Sequence, residues 1–373
     1  MEKKTILQFE ALPVGRGDSF LLRDGENIFL LDGGQYYQQV ANFLKDREIT
    51  KINAIICSHN DSDHANGIIG VLESSIYVEE VWIPMTWQAF IKSAAQSHSW
   101  HHCLLKTIMD SPALFDKWQH CDFDKYKESK LNNKDYTDSP NGRNGDIGAL
   151  IESLSESIND IKYYAYYNYI SPQIMSNKIV PIADMLCAGD RIIRIIERAW
   201  NKGCNIRFFE YNPSDSCGKS KINGTQFIPV NCKEITKVKA HGSIVDILCL
   251  TVENRQSLVF RYDSHRGSSV LFTADSDLSF TTSKIVFEKP AVVTAPHHGS
   301  ADNASVYSKI QGSDITWVRS DCKTKKRPCQ EYTRQSKRFC TLCNPANNSK
   351  QPVKLSWQKG VWNATDTRQC ACK

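Results

Sequence analysis

The stretch 58–64 reads Ser58-His59-Asn60-Asp61-Ser62-Asp63-His64 and places four side chains that can bind a metal ion within six residues. The apolar run 54–57 before it predicts a buried strand, and a helical pattern starts near Asn66 after it. Imidazole nitrogens and carboxylate oxygens are typical ligands of divalent ions. The alternative is a polar loop without a metal, and the density of ligands argues against it.

The spacing of these ligands predicts two neighbouring ions. In an extended loop, residues i and i+2 point to the same side, as His59, Asp61 and Asp63 would, whereas His64 would point elsewhere. One ion would be bound by His59 and Asp61 and the other by Asp63 and His64, with a distant carboxylate such as Asp275 between them. Two ions about 3.5–4 Å apart suit the hydrolysis of phosphoryl or acyl bonds.

Strand patterns flank this loop and return in the second half of the chain. Two glycine turns, 15–18 and 32–34, punctuate the first strands. Hydrophobic periodicity predicts strands over 5–12, 19–23, 27–31, 54–57, 244–250, 256–262, 268–273, 290–295 and 353–362, and helices over 36–47, 148–158 and 187–201.

Ligand-type residues follow two of the later strands. Asp275 comes after the strand 268–273, and His297-His298-Gly299-Ser300 comes after 290–295. Open α/β sheets carry their sites at the carboxyl ends of strands. We therefore expect these residues to lie close to the loop 58–64.

Composition sets the broad class of the protein. The chain has 373 residues, 41% hydrophobic and 23% charged, which suits one large domain or two ordinary ones and excludes disordered and fibrous classes. No apolar run approaches the roughly 18 residues of a membrane span, and the first residues carry no signal-peptide pattern. We expect a cytoplasmic protein without a membrane partner.

The chain has 14 cysteines, which without an export signal predict thiols or metal ligands rather than disulfides. The pairs Cys340/Cys343 and Cys370/Cys372 have a spacing that a four-cysteine structural zinc can use. Cys322 and Cys329 are possible substitutes among the ligands. The alternative is four cysteines that bind no metal.

Positive charge is concentrated near the carboxyl end. Residues 319–338 hold eight Lys and Arg against two acidic residues, within a formal net charge of +5 for the chain. This segment is the expected contact for an anionic partner, above all the phosphates of a nucleic acid at Lys323, Lys325, Lys326 and Arg327. A solvated helix face, or a surface for a protein partner, would explain the same charges.

The middle of the chain offers two weaker signals. A second metal site could use the histidines and cysteines of 98–121, but packing or solvent contact explains them better. The aromatic run 163–169 could stack bases, and a strand buried on both faces explains it equally well. The first group comprises His98, His101, His102, Cys103, His120 and Cys121.

Six blocks in order resemble the metallo-β-lactamase superfamily and, within it, the ComEC-like branch found in the DNA-uptake competence protein. The loop 59–64 resembles the superfamily's HxHxDH, with Asp61 at the second ligand position. The other five blocks are 14–19 (similar to VGQGDS, with Arg16 for Gln), 31–34 (similar to DGG), 254–259 (similar to NxxSLVL), 271–275 (similar to LLTGDA, with Ala274 for Gly) and 296–300 (similar to HHGS).

The resemblance implies an α/β (α+β) fold, the metallo-β-lactamase αββα sandwich. The chain departs from the family in length, because 185 positions separate His64 from Cys249, and this predicts a large inserted subdomain. A Cys-rich carboxy-terminal segment follows the second half. The halves of the sandwich would be 1–85 and 240–320, with an insertion or lid region over 86–239 and a basic segment over 321–373 that completes the sandwich.

Carried over residue by residue, the resemblance also implies the site residues. The metal ligands would be His59, Asp61, Asp63, His64, Asp275 and one of His297 and His298, and Asp32 would orient them. The family often supplies one more histidine, for which Cys249 or His241 stands here, and Cys249 reads better as a buried core thiol.

These observations predict a hydrolase with two zinc or manganese ions that cleaves phosphodiester bonds, most simply a nuclease acting on DNA or RNA. Asp63 and Asp275 would orient the attacking water, and the histidine of the 297–298 pair that is not a ligand would protonate the leaving oxygen. One alternative is a phosphodiesterase or esterase for small molecules. Another is a catalytically weak binding subunit of a multi-component system, for example in defence.

Overall fold

The computed structural model describes residues 7–96, 172–212, 221–222, 224–235, 256–320, 324, 326–343 and 351–372. The predicted helix 148–158, the predicted strand 244–250 and the histidines, cysteines and tyrosines of 98–169 lie outside these residues. So do His241, Cys249, Cys322, Lys323 and Lys325.

The chain forms two compact units. One comprises 1–89, 190–241 and 252–373, and it contains the β-sheets described below. The other comprises 90–189 and 242–251, and within it the structure describes only 90–96 and 172–189.

The first sheet has nine strands in the order β17-β16-β1-β2-β3-β4-β5-β6-β8. Strands β3 to β6 are parallel to one another, and the remaining pairs are antiparallel. The strands are β1 (Leu7–Ala11), β2 (Phe20–Asp24), β3 (Asn27–Leu31), β4 (Lys51–Ile56), β5 (Tyr77–Pro84), β6 (Asn205–Tyr211), β8 (Cys232–Ile235), β16 (Val353–Gln358) and β17 (Val361–Ala364).

The second sheet has six strands in the order β15-β14-β12-β10-β9-β7. Strands β10, β12, β14 and β15 are parallel. The strands are β7 (Phe227–Pro229), β9 (Phe260–Asp263), β10 (Ser269–Phe272), β12 (Ala291–Thr294), β14 (Ile315–Arg319) and β15 (Arg338–Cys340), and a separate parallel pair joins β11 (Ile285–Phe287) to β13 (Ile310–Gly312).

Six α-helices connect the described strands, and two 3₁₀ turns, Pro296–Gly299 and Ala301–Asn303, follow β12. None of the helices in the described ranges is both long and apolar enough to cross a membrane. The helices are α1 (Gln39–Lys45), α2 (Ser62–Glu73), α3 (Thr86–Gln96), α4 (Pro172–Asn201), α5 (Val306–Lys309) and α6 (Gln330–Thr333).

The core of the first unit lies between the two large sheets. In β1, every second residue is buried, which turns Phe9 towards the second sheet. The ring of Phe9 lies 6.0 Å from that of Phe272, and the ring of Trp82 lies 5.8 Å from that of Phe260. Period-two burial and ring contacts of this kind are typical of stacked sheets. The predicted α/β fold class is confirmed.

Several predicted boundaries differ from the structure. Helix α2 begins at Ser62 rather than near Asn66, and α4 begins at Pro172 rather than at residue 187. The predicted strand 353–362 is the hairpin of β16 and β17, because Lys359 and Gly360 both have positive φ and form its turn. The sheets also include β6, β7 and β8, which fall inside the range 86–239 assigned to an insertion.

Candidate metal centre

The site residues follow the carboxyl ends of parallel strands from both sheets. Asp32 comes directly after β3, His59 lies three residues past β4, and Asp275 lies three residues past β10. His297 and His298 follow β12. Because neighbouring parallel strands end at the same edge of a sheet, the sandwich brings these side chains together.

The amino-terminal turn of α2 supplies the remaining ligands. Asp61 precedes the helix as its N-cap residue, and its carbonyl oxygen accepts the N–H group of His64 at 3.0 Å. Asp63 and His64 therefore have helical rather than extended geometry. The predicted alternation fails beyond Asp61, and the helical turn places Asp63 and His64 beside each other.

The glycine turn before β2 packs against this helical turn. Gly17 has a φ of +89°, and a Cβ atom there would lie 1.7 Å from the carbonyl oxygen of Asp63. That same oxygen accepts the N–H group of Asp18 at 3.2 Å. Only glycine allows this approach without a backbone shift.

The first ligand group consists of His59, Asp61 and Asp275. The Nε2 atom of His59 lies 3.7 Å from Oδ2 of Asp61 and 3.9 Å from Oδ2 of Asp275. The ligand atoms of the three residues all lie within 4.8 Å of one another. This group could hold a metal ion.

The second group surrounds the other oxygen of Asp275. Oδ1 of Asp275 lies 3.2 Å from Nε2 of His64 and 3.5 Å from Nε2 of His298. Oδ2 of Asp63 lies 3.5 Å from the same atom of His298. The two oxygens of the buried Asp275 thus face different ligand groups, as a carboxylate that bridges two ions would.

Asp32 orients both histidines of the loop. Its Oδ2 atom accepts a hydrogen bond from Nδ1 of His64 at 2.8 Å and another from the hydroxyl of Ser58 at 2.7 Å. The Ser58 hydroxyl oxygen lies 2.9 Å from Nδ1 of His59. Ser58 therefore links Asp32 to the ring of His59. This role of Ser58 was not predicted from the sequence.

Asp18 orients the ring of His298, as Asp32 orients that of His64. Its Oδ1 atom lies 2.9 Å from Nδ1 of His298, and both side chains are buried. A carboxylate behind a histidine fixes the ring and makes it a more basic ligand. Asp18 lies inside the block 14–19, and its contact with His298 was not predicted from the sequence.

The geometry fits a metal ion between the rings. With Nδ1 of His64 and of His298 donating to carboxylates, each neutral ring presents an unprotonated Nε2 atom. These two Nε2 atoms lie 3.2 Å apart. Two nitrogen lone pairs and a carboxylate oxygen converge only where a cation or a proton lies between them, so the residues present suit a divalent ion.

The two neighbouring histidines have different surroundings. His298 is fully buried within the second group, whereas the side chain of His297 is 12% exposed and its Nε2 atom lies 3.4 Å from Oδ2 of Asp275. Both have positive φ, +46° and +55°, as does Asp32. Such backbone strain is concentrated at functional sites.

The charged side chains of the site shift one another's pKa values. Burial raises the pKa of Asp275, but the neighbouring His297, His298 and His64 outweigh burial and bring that pKa well below its ordinary value. Burial lowers the pKa of His64, yet the charges of Asp275 and Asp32 hold it well above its ordinary value. Burial lowers the pKa of His298 too, and the carboxylates around it again produce a net rise.

We expect metal binding at this site to release protons near neutral pH. His64 and His298 keep their protons to a higher pH than free histidine, and a metal ion binds only the neutral ring. Metal affinity should therefore rise as the pH rises through the two pKa values and fall as the pH is lowered. Calorimetric titration with Mn²⁺ in buffers of different ionisation enthalpy counts the protons released.

Matched variants give this titration its controls. His64→Gln should release fewer protons, and His265→Gln, which changes an exposed histidine, should release the same number as the unaltered chain. A binding enthalpy that does not depend on the buffer would contradict the prediction.

Two arginines hold the loops of the site by hydrogen bonds to their backbone carbonyl groups. Arg191 of α4 donates from Nε to the carbonyl oxygen of Asn60 at 2.8 Å. Arg319 of β14 is buried and donates from Nε to the carbonyl oxygen of His298 at 2.6 Å. The expectation that the whole segment 319–338 meets an anionic partner is therefore wrong for Arg319, because that guanidinium is enclosed by protein.

Part of the predicted basic segment lies against the site. The carbonyl oxygen of Lys326 accepts the N–H group of Ala301 at 3.1 Å, and the N–H group of Cys329 donates to Gly299 at 2.8 Å. The charge of Arg327 is near enough to act on the pKa of His298. Lys326 and Arg327 thus flank the loop that carries His297 and His298.

The four predicted zinc ligands near the carboxyl end come together. The ligand atoms of Cys340, Cys343, Cys370 and Cys372 all lie within 4.8 Å of one another, so that this group could also hold a metal ion. Cys329, considered as a substitute, is not part of it.

Comparison with protein-family models gives a match to part of the chain. The model of the metallo-beta-lactamase superfamily matches residues 12–102, about a quarter of the chain. This match indicates a metal-dependent hydrolase. No curated protein matches the chain. Asp275 and His298 lie outside the matched residues, and the fold brings them to the loop that lies inside.

Proposed function

We propose that this protein is a two-metal hydrolase that cleaves phosphodiester bonds in nucleic acid. The observation that carries the proposal is Asp275, whose two oxygens face two separate ligand groups. Zinc or manganese would be held by His59, Asp61 and Asp275 on one side, and by Asp63, His64, His298 and Asp275 on the other. When bound, such ions supply a nucleophile at neutral pH and neutralise charge on the phosphoryl oxygens.

The chain's own residues would position the reactants. Asp63, ionised because His298, His64 and Arg16 outweigh its burial and lower its pKa, would orient the attacking water. His297, partly exposed beside Asp275, would deliver a proton to the leaving oxygen. Asp32 and Asp18 would keep the ligand rings in the orientation that binding requires.

Cationic side chains near the site support an anionic substrate. The Nε atom of Arg16 lies 3.9 Å from Oδ2 of Asp63, and its side chain is 27% exposed. Lys326 and Arg327 flank the loop that carries His297 and His298. Guanidinium and ammonium groups at these positions suit the backbone phosphates of a nucleic acid.

The proposal is tested by incubating the purified chain with Mn²⁺ or Zn²⁺ and linear DNA, circular DNA, RNA or bis(p-nitrophenyl) phosphate. We expect cleavage of a nucleic acid that is lost in Asp63→Ala and kept in Asp46→Ala, the same change at an exposed position. Long nucleic acid should inhibit cleavage of the small ester. If metal is bound and only the small ester is cleaved, or no substrate is cleaved, the nuclease proposal is wrong.

We expect the double variant Lys326→Ala/Arg327→Ala to weaken nucleic-acid binding and to reduce its dependence on salt. Each phosphate contact contributes about 0.9 to the slope of log K against log salt concentration, so losing two contacts should reduce the slope by about 2. Fluorescence anisotropy at several salt concentrations measures the slope. The variant Lys45→Ala/Lys233→Ala removes the same charge at exposed positions and should leave the slope unchanged.

A further inference from the structure

Four cysteines converge where the two sheets have their outer strands. Cys340 is the last residue of β15, the edge strand of the second sheet, and Cys343 follows in the next turn. Cys370 and Cys372 lie in the segment after β17, the edge strand of the first sheet. The two pairs are therefore far apart in sequence and follow strands of different sheets. Only the tertiary fold brings them together.

The distances between the sulfurs match a metal site. The Sγ atom of Cys372 lies 3.8 Å from that of Cys340 and 3.4 Å from that of Cys343, and the Sγ atoms of Cys343 and Cys370 are 3.9 Å apart. Four thiolates at about 2.3 Å from a tetrahedral zinc ion are about 3.8 Å from one another. A disulfide would need about 2.05 Å.

The backbone between Cys340 and Cys343 forms a tight turn that brings the two thiols together. The N–H group of Cys343 donates to the carbonyl oxygen of Cys340 at 3.3 Å, which closes the turn between the first two cysteines. The other described cysteines lie outside the group: Cys57, Cys187, Cys204, Cys232 and Cys329. A set of four soft sulfur ligands with tetrahedral spacing selects zinc over the harder divalent ions.

We propose that Cys340, Cys343, Cys370 and Cys372 bind one structural zinc ion. Zn²⁺ from solution replaces the thiol protons, which pass to solvent, and no oxidant is required. This site is separate from the candidate hydrolytic centre and does not depend on the proposed function.

The zinc ion would fix the carboxy-terminal segment along the edge of the second sheet. The N–H group of Cys370 already donates to the carbonyl oxygen of Arg338 at 2.8 Å, and the side-chain amide of Gln369 donates to Ser336. An edge strand covered in this way cannot pair with another chain. The neighbouring strand β14 carries Arg319, which holds the His298 loop.

The test uses the 373-residue chain loaded with Co²⁺ in place of zinc. We expect an intense thiolate-to-cobalt charge-transfer absorption from one cobalt per chain. The residues of the hydrolytic centre are histidines and aspartates, which give no such absorption. The absorption should therefore remain in Asp275→Asn even if the hydrolytic function proposed above is wrong.

Variants and zinc analysis complete the test. Cys370→Ser/Cys372→Ser should lose the absorption and bind one zinc fewer per chain by mass spectrometry, whereas Cys187→Ser/Cys204→Ser should keep both. If the first variant fails to fold, zinc release from the unaltered chain on titration of its thiols with an organomercurial decides the question. A folded chain that shows no charge-transfer absorption, or disulfides among the four cysteines, overturns the proposal.

Discussion

Asp275→Asn is expected to remove metal binding at the histidine–aspartate centre and hydrolysis together. The asparagine side chain has nearly the same shape, but it is neutral and presents an NH₂ group where the carboxylate presents a second oxygen. Since Oδ1 and Oδ2 of Asp275 face different ligand groups, the change affects both. Loss of about 4 kcal/mol of transition-state stabilisation corresponds to a rate reduction on the order of a thousandfold.

The measurement combines metal content with the rate of phosphodiester cleavage. Asp277→Asn makes the same chemical change two residues away, where the carboxylate accepts the N–H group of Ser279 at 2.8 Å, and it should keep both the metal and the rate. If Asp275→Asn retained the metal of the histidine–aspartate centre and a rate within tenfold of the unaltered chain, Asp275 could not bridge two ions.

Gly70→Ala is expected to destabilise the protein by more than about 3 kcal/mol, or to prevent folding. Helix propensity predicts the opposite, because alanine is favoured over glycine inside a helix by about 1 kcal/mol. A Cβ atom on Gly70 would lie 1.4 Å from the carbonyl oxygen of Tyr37 and 2.4 Å from its carbonyl carbon. Relief would require α2 to move, and α2 carries Asp63 and His64.

Urea unfolding with a spectroscopic readout measures this effect. Gly203→Ala is the control, since Gly203 has a φ of +74° and a Cβ atom there meets nothing within 4 Å. That variant bears only the backbone cost of a left-handed alanine, about 1–2 kcal/mol. Equal stability of Gly70→Ala and the unaltered chain would show that the contact with Tyr37 is not as close as described.

The two metal sites proposed for this protein differ in place and in ligand type. Histidines and carboxylates at the carboxyl ends of the strands would serve hydrolysis, and four cysteines at the sheet edges would serve stability. The different ligand sets make the two separable, because manganese prefers oxygen and nitrogen ligands while zinc and cobalt accept thiolates. Each proposal can therefore fail alone.

The local pattern of apolar and polar residues was sufficient to predict several strands of the fold. Strands β1 to β3, β10 and β12 were predicted close to their observed positions, because alternating or continuous apolar residues mark a buried strand locally. The predicted strand 54–57 covers only the second half of β4. The start of α2 was missed by four residues, because polar residues at a helix amino terminus read as a loop. Strands β5 to β8, β11 and β13 to β15 were not predicted, because most of them are three to five residues long and too short to show a clear apolar period.

The sequence by itself determined the chemical types at the candidate site. The loop 59–64, the pair His297 and His298, and the two carboxy-terminal cysteine pairs stand out by spacing, since ligands close in sequence must also be close in space. Asp275 stands out because it follows a predicted strand.

Only the tertiary structure decided how these parts meet. It placed Asp18 behind His298, turned the two oxygens of Asp275 to different groups, enclosed Arg319 and paired β16 with β1. Each of these contacts joins residues that are distant in the chain or depends on which side of a loop faces the protein. The physical reason is that strand pairing and side-chain burial depend on packing between distant segments, which short-range periodicity does not encode.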